Sequence, residues 1–482
     1  MGGVADDGST YNKKTAMAYI FNLVVGIGAL ALPAGFQQAG IVLGTLFLAF
    51  SGTLAYITTT FIIEAQSAAN YLLATEDAGP NEQSVLINGE DEAQSSSSDN
   101  EDSPVSPFHT PGINSQFEIV KRTEVGAMTK QFMGNIGCKI FYVVLVIYLY
   151  GDLAIYAATV PTSLAKVTGG FTIGSLVLSE HNVYYFYLTI FGCFVGILSN
   201  FNFQKTKYLQ LATLATRNLA FFLMIILSII FIASGQGAKA GTLPMFEISK
   251  LPQMFGVSIY AFMCHHSLPS IITPIKKKNR TSLMMLADFS SIFVAYVLLC
   301  ITAVFAFGDV TNPTCTPATT DTFIPCTIQS LYIYNFTSYN IKFFAIFLGL
   351  FPVFTLSTNY VLISITLRNN LMNLVTWRAE VFNPKLRSIF FSLLSSLVPI
   401  LIAFCTRNVG MLVNITGSYA GLGIMFLMPV GLSYFSNRRL TELGVTNPYK
   451  SAFSHNAVYI FILVVSVISL GLTTYNNVIK LK

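Results

Sequence analysis

NLVVGIGALALP, at residues 22–33, interrupts the first long hydrophobic segment of the chain. A second sequence, FMCHHSLP at residues 262–269, interrupts the sixth hydrophobic segment. A helix that breaks at bilayer depth exposes backbone N–H and C=O groups that lipid cannot satisfy, and each such group is costly. Broken helices therefore persist only where protein encloses them around a cavity, so this pair predicts a solute site.

The composition is that of a membrane protein. Of 482 residues, 53% are hydrophobic and only 10% are charged, and the mean hydropathy is +0.62. A soluble domain carries about 25% charged residues. The net charge of +5 is too small to indicate a nucleic-acid partner. Residues 1–14 are polar and precede an apolar run long enough to span a bilayer, so we predict a cytosolic N-terminal tail and no cleaved signal peptide.

Apolar runs of about 17 residues or more predict about eleven transmembrane helices within residues 15–476. They lie near 15–37, 41–63, 138–161, 183–199, 209–233, 253–275, 283–307, 342–366, 387–405, 409–433 and 457–475. With the N-terminus in the cytosol, the cytosolic segments hold nineteen Lys and Arg residues and the opposite side holds seven. This bias predicts a cytosolic N-terminus and a C-terminus on the other side.

Two loops carry processing or sorting signals. The predicted lumenal or extracellular loop 308–341 contains Cys315 and Cys326, a predicted disulfide, and Asn335 in an N-glycosylation sequon. The alternatives are two reduced cysteines and an unused sequon. The cytosolic loop 67–118 is acidic and Ser-rich, a composition that predicts disorder.

Within that cytosolic loop, Glu82, Leu86 and Ile87 match the acidic dileucine pattern that clathrin adaptors read. This match predicts a lysosomal or endosomal location, with the plasma membrane as the alternative. The pattern is short, so an incidental match is the other interpretation.

The chemistry of the first break suits a carboxylate. Gly26 and Gly28 lack a Cβ, so the backbone there can leave helical geometry and approach a ligand. Pro33 is expected to help separate the two halves of the helix. The free N–H groups and the partial positive charge of the outer half-helix would attract an anion. The alternative is that the two glycines only form a packing face between helices.

The second break places His265 and His266 in an otherwise apolar segment. Polar groups at that depth are usually functional, and imidazole can exchange a proton near neutral pH. A satisfied core histidine is the expected role for one of the two. No His, Cys, Asp and Glu cluster completes a metal site, and no nucleophile–base pair or phosphate loop indicates an enzyme.

The two breaks are five helices apart, in the first and sixth spans. An odd separation gives two halves of opposite membrane orientation, which predicts a five-plus-five inverted repeat around a midplane site.

The motif N-x-x-x-G-x-G-x-L-x-x-P at residues 22–33, the Cys264-His265 pair and the eleven spans resemble the amino acid/auxin permease family of the amino acid–polyamine–organocation superfamily. Longer sequences at 148–156, 204–210, 266–270, 348–354 and 415–421 resemble one branch of that family. The resemblance covers nearly all of residues 13–476 and implies amino acid transport. It implies substrate contacts from Asn22, Gly26, Ile27, Gly28, Ala29, Phe262, Cys264 and His265.

Sodium-coupled relatives hold a cation with hydroxyl groups of the eighth span. The resemblance implies that Thr355, with Thr358 or Asn359, would do so here. Protons are the rival coupling ion, carried by His265 or Asp152. A structural ion pair between Asp152 and Arg217 is the other interpretation of these buried charges.

We therefore expect a sodium- or proton-coupled amino acid transporter that needs no cofactor. The alternatives are an amino-acid-binding nutrient sensor with little flux, and a channel or scaffold. A small or neutral substrate is favoured, because no charged side chain other than histidine lies beside either break.

Overall fold

The computed structural model describes residues 10–77, 116–173, 176–199, 207–238, 243–308, 328–337, 339–374 and 384–481. Nearly all regular structure in these residues is helical. The helices are α1 (Lys13–Val24), α2 (Ile27–Ala39), α3 (Ile41–Asp77), α4 (Val125–Thr168), α5 (Glu180–Leu198), α6 (Lys207–Ala233), α7 (Leu251–Phe262), α8 (Leu268–Ile272), α9 (Thr281–Phe307), α10 (Lys342–Leu374), α11 (Pro384–Cys405), α12 (Val409–Thr416), α13 (Met428–Glu442) and α14 (Asn456–Leu481).

Shorter elements join these helices. Two π-helical turns, Gly417–Gly421 and Gly423–Leu427, connect α12 to α13. Three 3₁₀ turns are Ile248–Lys250, His265–Ser267 and Tyr332–Phe336. The strands β1 (Phe171–Ile173) and β2 (Leu176–Leu178) form an antiparallel hairpin in which Phe171 pairs with Leu178.

In the described residues, nine helices are long and apolar enough to cross a membrane, and the bent pair α1–α2 raises the number to ten. The remaining predicted span corresponds to residues 251–272, where α7 has 12 residues and α8 has 5, so neither is long enough to cross alone. The prediction of an all-α membrane protein with broken first and sixth segments is confirmed. The cytosolic location of the N-terminus stays a prediction.

The first break lies at Val25 and Gly26. The Val25 N–H still donates to the Phe21 carbonyl at 2.8 Å, and the chain then becomes extended at Gly26 (φ −127°, ψ −147°). The axes of α1 and α2 differ by 58° across this break. Our expectation that Pro33 separates the halves is wrong, because Pro33 lies inside α2 and the helix continues to Ala39.

The second break follows α7. Met263 is extended (φ −78°, ψ 121°), and the chain then makes the 3₁₀ turn His265–Ser267 before α8 begins. Pro269 occupies the first turn of α8, where its missing N–H costs no hydrogen bond. The break is therefore made by the residues before the proline.

The third predicted span begins earlier than expected. Helix α4 starts at Val125 rather than near residue 138 and bends at Gly134, whose positive φ of 69° favours glycine. Arg122 and Glu124, just before α4, and Val125 and Gly126, in its first turn, line the cavity described below.

The N-terminal segment ties α1 to the residues that follow α8. The Tyr11 N–H donates to the Pro274 carbonyl at 3.0 Å, and the Lys276 N–H donates to the Tyr11 carbonyl at 3.0 Å. The Tyr11 hydroxyl donates to the Ile271 carbonyl, and burial raises the pKa of Tyr11 above its usual value. These contacts hold the two broken segments together at one end.

Candidate functional site

A cavity of about 420 Å³ lies between the two breaks. Its walls come from the α1–α2 break, α4, α6, the α7–α8 break and α10. At one end it reaches Arg122 and Glu124, whose side chains are 41% and 48% exposed. A volume in this range suits a small-molecule ligand. The predicted solute site between the broken helices therefore coincides with a cavity.

The backbone of the first break forms one wall. Gly26, Ile27 and Gly28 all line the cavity, as the resemblance implied. The two glycines differ in their surroundings. A Cβ added to Gly26 would meet its nearest heavy atom, the Val24 carbonyl oxygen, at 4.0 Å, whereas one added to Gly28 would lie 2.6 Å from the Ala261 Cα. Gly26 thus forms the break, and Gly28 allows α2 to pack closely against α7.

One hydroxyl group serves both breaks. The Tyr296 hydroxyl of α9 lies 3.0 Å from the Val24 carbonyl oxygen and 2.8 Å from the Ala261 carbonyl oxygen, so it can donate to either one. Both carbonyls lie at helix ends, where no N–H group of a following helical turn is placed to donate to them. Tyr296 therefore satisfies backbone groups that the breaks release, and it holds the two breaks side by side.

The structure exchanges the roles that we expected for the two histidines. His266 lines the cavity, with its ring 5.3 Å from that of Tyr148. The His265 ring packs against α3, where Nε2 lies 2.8 Å from the Thr58 hydroxyl and 3.2 Å from the Ala55 carbonyl oxygen. The expected substrate contact of His265 is therefore not observed, because the 3₁₀ turn places adjacent side chains on opposite sides.

Four other predicted contacts are buried in the described structure but do not line the cavity: Asn22, Ala29, Phe262 and Cys264. The Asn22 side chain accepts a hydrogen bond from Asn218 at 2.6 Å and so joins α1 to α6. The Phe262 ring packs on Phe289 and Tyr296. These residues pack against the broken segments on the side away from the cavity lining, and their positions indicate a structural role.

Asp152 lines the cavity from the middle of α4. The Tyr260 hydroxyl donates a hydrogen bond to its Oδ1 atom, and Tyr156 is a second hydroxyl partner. With Tyr148 they make a cluster of one carboxylate and three phenols on the cavity wall. The tyrosines were not among the predicted site residues, although the spacing of Tyr148, Asp152 and Tyr156 on one helix face was a signal for them in the sequence.

Arg217 also lines the cavity, from α6. The predicted ion pair is wrong: among the described residues, no salt bridge joins Arg217 to Asp152. Its Nε atom is buried and has no hydrogen-bond partner. The charge of the guanidinium acts on the neutral phenols of Tyr156 and Tyr296.

The predicted coupling-ion residues divide into two groups. Thr355 and Asn359 line the same cavity as the first break. Thr358 is not among the cavity-lining residues that the structure describes, and its hydroxyl donates to the Phe354 carbonyl at 3.0 Å. The Thr355 hydroxyl donates to the Phe351 carbonyl at 2.9 Å, which leaves its oxygen lone pairs available to a cation.

The loop predictions have different outcomes. Cys315, Cys326, Glu82, Leu86 and Ile87 lie outside the described residues. Asn335 is only 4% exposed, and its side-chain oxygen accepts a hydrogen bond from the Gln329 N–H at 2.9 Å. A glycan on the Asn335 amide needs space that this buried position does not offer, so the structure disfavours that prediction.

Comparison with known proteins gives the family. The family described as "Transmembrane amino acid transporter protein" matches residues 9–78 and 113–479. The chain belongs to this family. The Transmembrane protein 104 homolog of Dictyostelium discoideum is 58% identical over 503 residues, covering 100% of both chains. Human Transmembrane protein 104 is 36% identical over 499 residues, covering 96% of this chain and 95% of the relative.

The same comparison extends to solved structures. A manganese transporter of Eremococcus coleocola superposes with a TM-score of 0.42 at 11% identity, covering 99% of this chain and 98% of that one. The family match confirms the predicted membership. The protein is a multi-pass membrane protein of a transporter family, and the family is not one of enzymes.

Proposed function

We propose that this protein is a secondary active transporter that carries an amino acid across a membrane by alternating access, in symport with sodium or protons. The observation that carries the proposal is the cavity of about 420 Å³ at which both broken helices meet. Its walls combine a helix N-terminus, a carboxylate and hydroxyl groups, which together suit a zwitterion.

The first break suits the α-carboxylate. Ile27 and Gly28 begin α2 and line the cavity. The first N–H groups of a helix lack intrahelical acceptors, and the helix dipole adds partial positive charge there. A carboxylate bound at this end would replace water as the hydrogen-bond acceptor. Because Gly26 has no Cβ, the backbone at the break stays accessible to the ligand.

The ammonium group suits Asp152. A carboxylate has more acceptor lone pairs than its two hydroxyl partners, Tyr260 and Tyr156, use, so Asp152 can accept a further hydrogen bond. A protonated amine would then pair with a charge that is otherwise costly at this depth. Asp152→Asn keeps the shape but removes the charge, so uptake of an amino acid should fall while the protein still folds.

The coupling ion has two candidate routes. Thr355 and Asn359 line the same cavity as the first break and offer the oxygen ligands that sodium prefers. Asp152 offers a protonatable carboxylate in the same cavity. The sodium route predicts that Thr355→Val abolishes sodium dependence, whereas the proton route predicts that Asp152→Asn removes the effect of a pH gradient.

Alternating access requires the cavity to open to one side at a time. In this structure the cavity reaches Arg122 and Glu124, which precede α4. The excess of Lys and Arg places that side in the cytosol, so we assign an inward-facing state. The interruptions at Gly26 and Met263 are then the hinges about which the half-helices move.

The decisive experiment is uptake into reconstituted vesicles. A panel of labelled amino acids is offered with sodium and proton gradients varied separately, and empty vesicles are the control. Uptake that depends on one gradient supports the proposal. The absence of flux for every amino acid, together with binding of one of them, would favour the sensor. The absence of both would overturn the proposed function.

For the location, we propose lysosomal or endosomal membranes, with the plasma membrane as the alternative. The support is the acidic dileucine pattern Glu82, Leu86 and Ile87, which a clathrin adaptor would bind. Replacing Leu86 and Ile87 with alanine should move the protein to the plasma membrane. Unchanged lysosomal staining would contradict this assignment.

A further inference from the structure

The guanidinium of Arg217 is a cation on the cavity wall that has no counter-charge among the residues that the structure describes. No described hydrogen bond or salt bridge involves it, and its Nε atom is inaccessible to water. A charge that is taken out of water without a partner is destabilising. Arg217 nevertheless lines the cavity at which the two broken helices meet. An arrangement this costly points to a ligand that supplies the missing negative charge.

The surroundings of Arg217 offset only part of that cost. Leu23 and Val24, the last residues of α1, line the cavity with it. The partial negative charge at a helix C-terminus stabilises a nearby cation, but more weakly than a full negative charge does. The two nearby phenols, Tyr156 and Tyr296, are neutral. Neither contribution equals that of a carboxylate at hydrogen-bond distance.

The position of Arg217 on α6 is fixed by its neighbour in sequence. Asn218 donates to Asn22 at 2.6 Å and so anchors α6 against α1 beside the first break. Arg217 therefore has a defined place on the wall, distinct from the N-terminus of α2. A planar guanidinium binds a carboxylate with two parallel hydrogen bonds, which a lysine cannot reproduce.

We propose that Arg217 binds a side-chain carboxylate and that the substrate is an acidic amino acid, an assignment that rests on the proposed function above. The substrate has three charged groups, and the cavity offers a matching group for each. The N-terminus of α2 takes the α-carboxylate, Asp152 takes the ammonium group, and Arg217 takes the second carboxylate. This replaces the expectation of a small or neutral substrate, which considered only residues beside the breaks.

The test compares glutamate with glutamine, which differ only in the charge and hydrogen bonding of one terminal group. Uptake and ligand-induced thermal stabilisation are both measured on the full-length protein, on Arg217→Gln and on Arg217→Lys. Arg438→Gln is the matched control, because it removes an exposed positive charge remote from the cavity. Glutarate, which lacks the amino group, tests whether a dicarboxylate alone is accepted.

The wild-type protein should prefer glutamate over glutamine, and Arg217→Gln should reduce that preference by roughly thirty-fold or more. Arg217→Lys should retain part of the preference, Arg438→Gln all of it, and glutarate should compete poorly. The ligand-free Arg217→Gln protein should be at least as heat-stable as the wild type, because no ion pair is lost. If Arg217 instead formed a structural ion pair, its replacement by Gln would lower the heat stability of the ligand-free protein.

Three results would overturn the assignment. The first is equal binding of glutamate and glutamine by the wild type. The second is an equal loss of glutamate binding and glutamine binding in Arg217→Gln. The third is strong binding of glutarate, which would indicate that the substrate is a dicarboxylate without an amino group. Uptake or binding of neutral amino acids in these cases would leave the proposed function intact. If the wild type neither binds nor carries any amino acid, both proposals fail.

Discussion

The close approach of α2 to α7 gives a quantitative test of how the broken helices are held together. A methyl group added by Gly28→Ala would lie 2.6 Å from the Ala261 Cα, 2.9 Å from its backbone nitrogen and 3.1 Å from its Cβ. The first two are backbone atoms, so a rotamer change cannot relieve the overlap. The two helices must separate, and overpacking of this kind costs about 1–3 kcal/mol.

Such a loss lowers the folded-to-unfolded ratio by roughly tenfold for each 1.4 kcal/mol. The detergent-solubilised Gly28→Ala protein should therefore lose its monodisperse fraction at a temperature a few degrees lower than the wild type. The assay is size-exclusion chromatography after heating, with the midpoint of loss as the measured quantity. Ligand-free protein is used so that substrate binding does not contribute to the difference.

Gly26→Ala is the matched control. Its added methyl group has no heavy atom closer than 4.0 Å, and its φ of −127° is accessible to alanine. Its heat stability should stay near that of the wild type, while uptake falls because the methyl group enters the cavity. If Gly28→Ala is as stable as the wild type, or if Gly26→Ala is the less stable of the two, the packing role of Gly28 is refuted.

Four further substitutions, with one control, test other contacts. Tyr296→Phe should lower the midpoint of heating by the equivalent of about 1–3 kcal/mol, because it leaves a released carbonyl unsatisfied. Tyr150→Phe is the control, since it loses only a 3.4 Å contact and should lower the midpoint less. Equal losses in the two variants would refute the role of Tyr296 at the breaks. His265→Ala should destabilise the protein more than it changes uptake, whereas His266→Ala should do the reverse, and the same uptake and heating assays distinguish them. Glu64→Gln should destabilise by about 1–3 kcal/mol, since both carboxylate oxygens accept hydrogen bonds from buried donors and the amide would turn a donor toward one of them; unchanged stability would show that the network tolerates a neutral side chain.

The location of the two breaks was predictable because it depends on local chemistry. Gly26 has no side chain, and His265 and His266 are polar residues in an apolar segment. Each break can therefore be recognised from about ten consecutive residues. The proline signal was less informative. A proline fits the first turn of a helix as well as a break, so Pro33 and Pro269 marked the neighbourhood but not the residue at which helical geometry ends.

The different contacts made by adjacent residues were not predictable from the sequence. His265 contacts Thr58, and His266 faces Tyr148, because a 3₁₀ turn inserted between α7 and α8 sets the rotation of each ring. Helical periodicity applies only inside a regular helix. Gly28 illustrates the same limit, since its close contact with Ala261 depends on how two helices more than two hundred residues apart pack.

Residue order alone was enough to predict a multi-pass helical membrane protein of a transporter family, with two interrupted helices five spans apart. Apolar length and helix-breaking residues act over short distances and leave a readable pattern. Helix packing alone revealed that Tyr260 donates a hydrogen bond to Asp152, and that Arg217 lines the same cavity without an ion pair to any residue that the structure describes. Whether a charged side chain has a counter-ion depends on contacts between segments that are distant in the sequence, and helix packing determines those contacts.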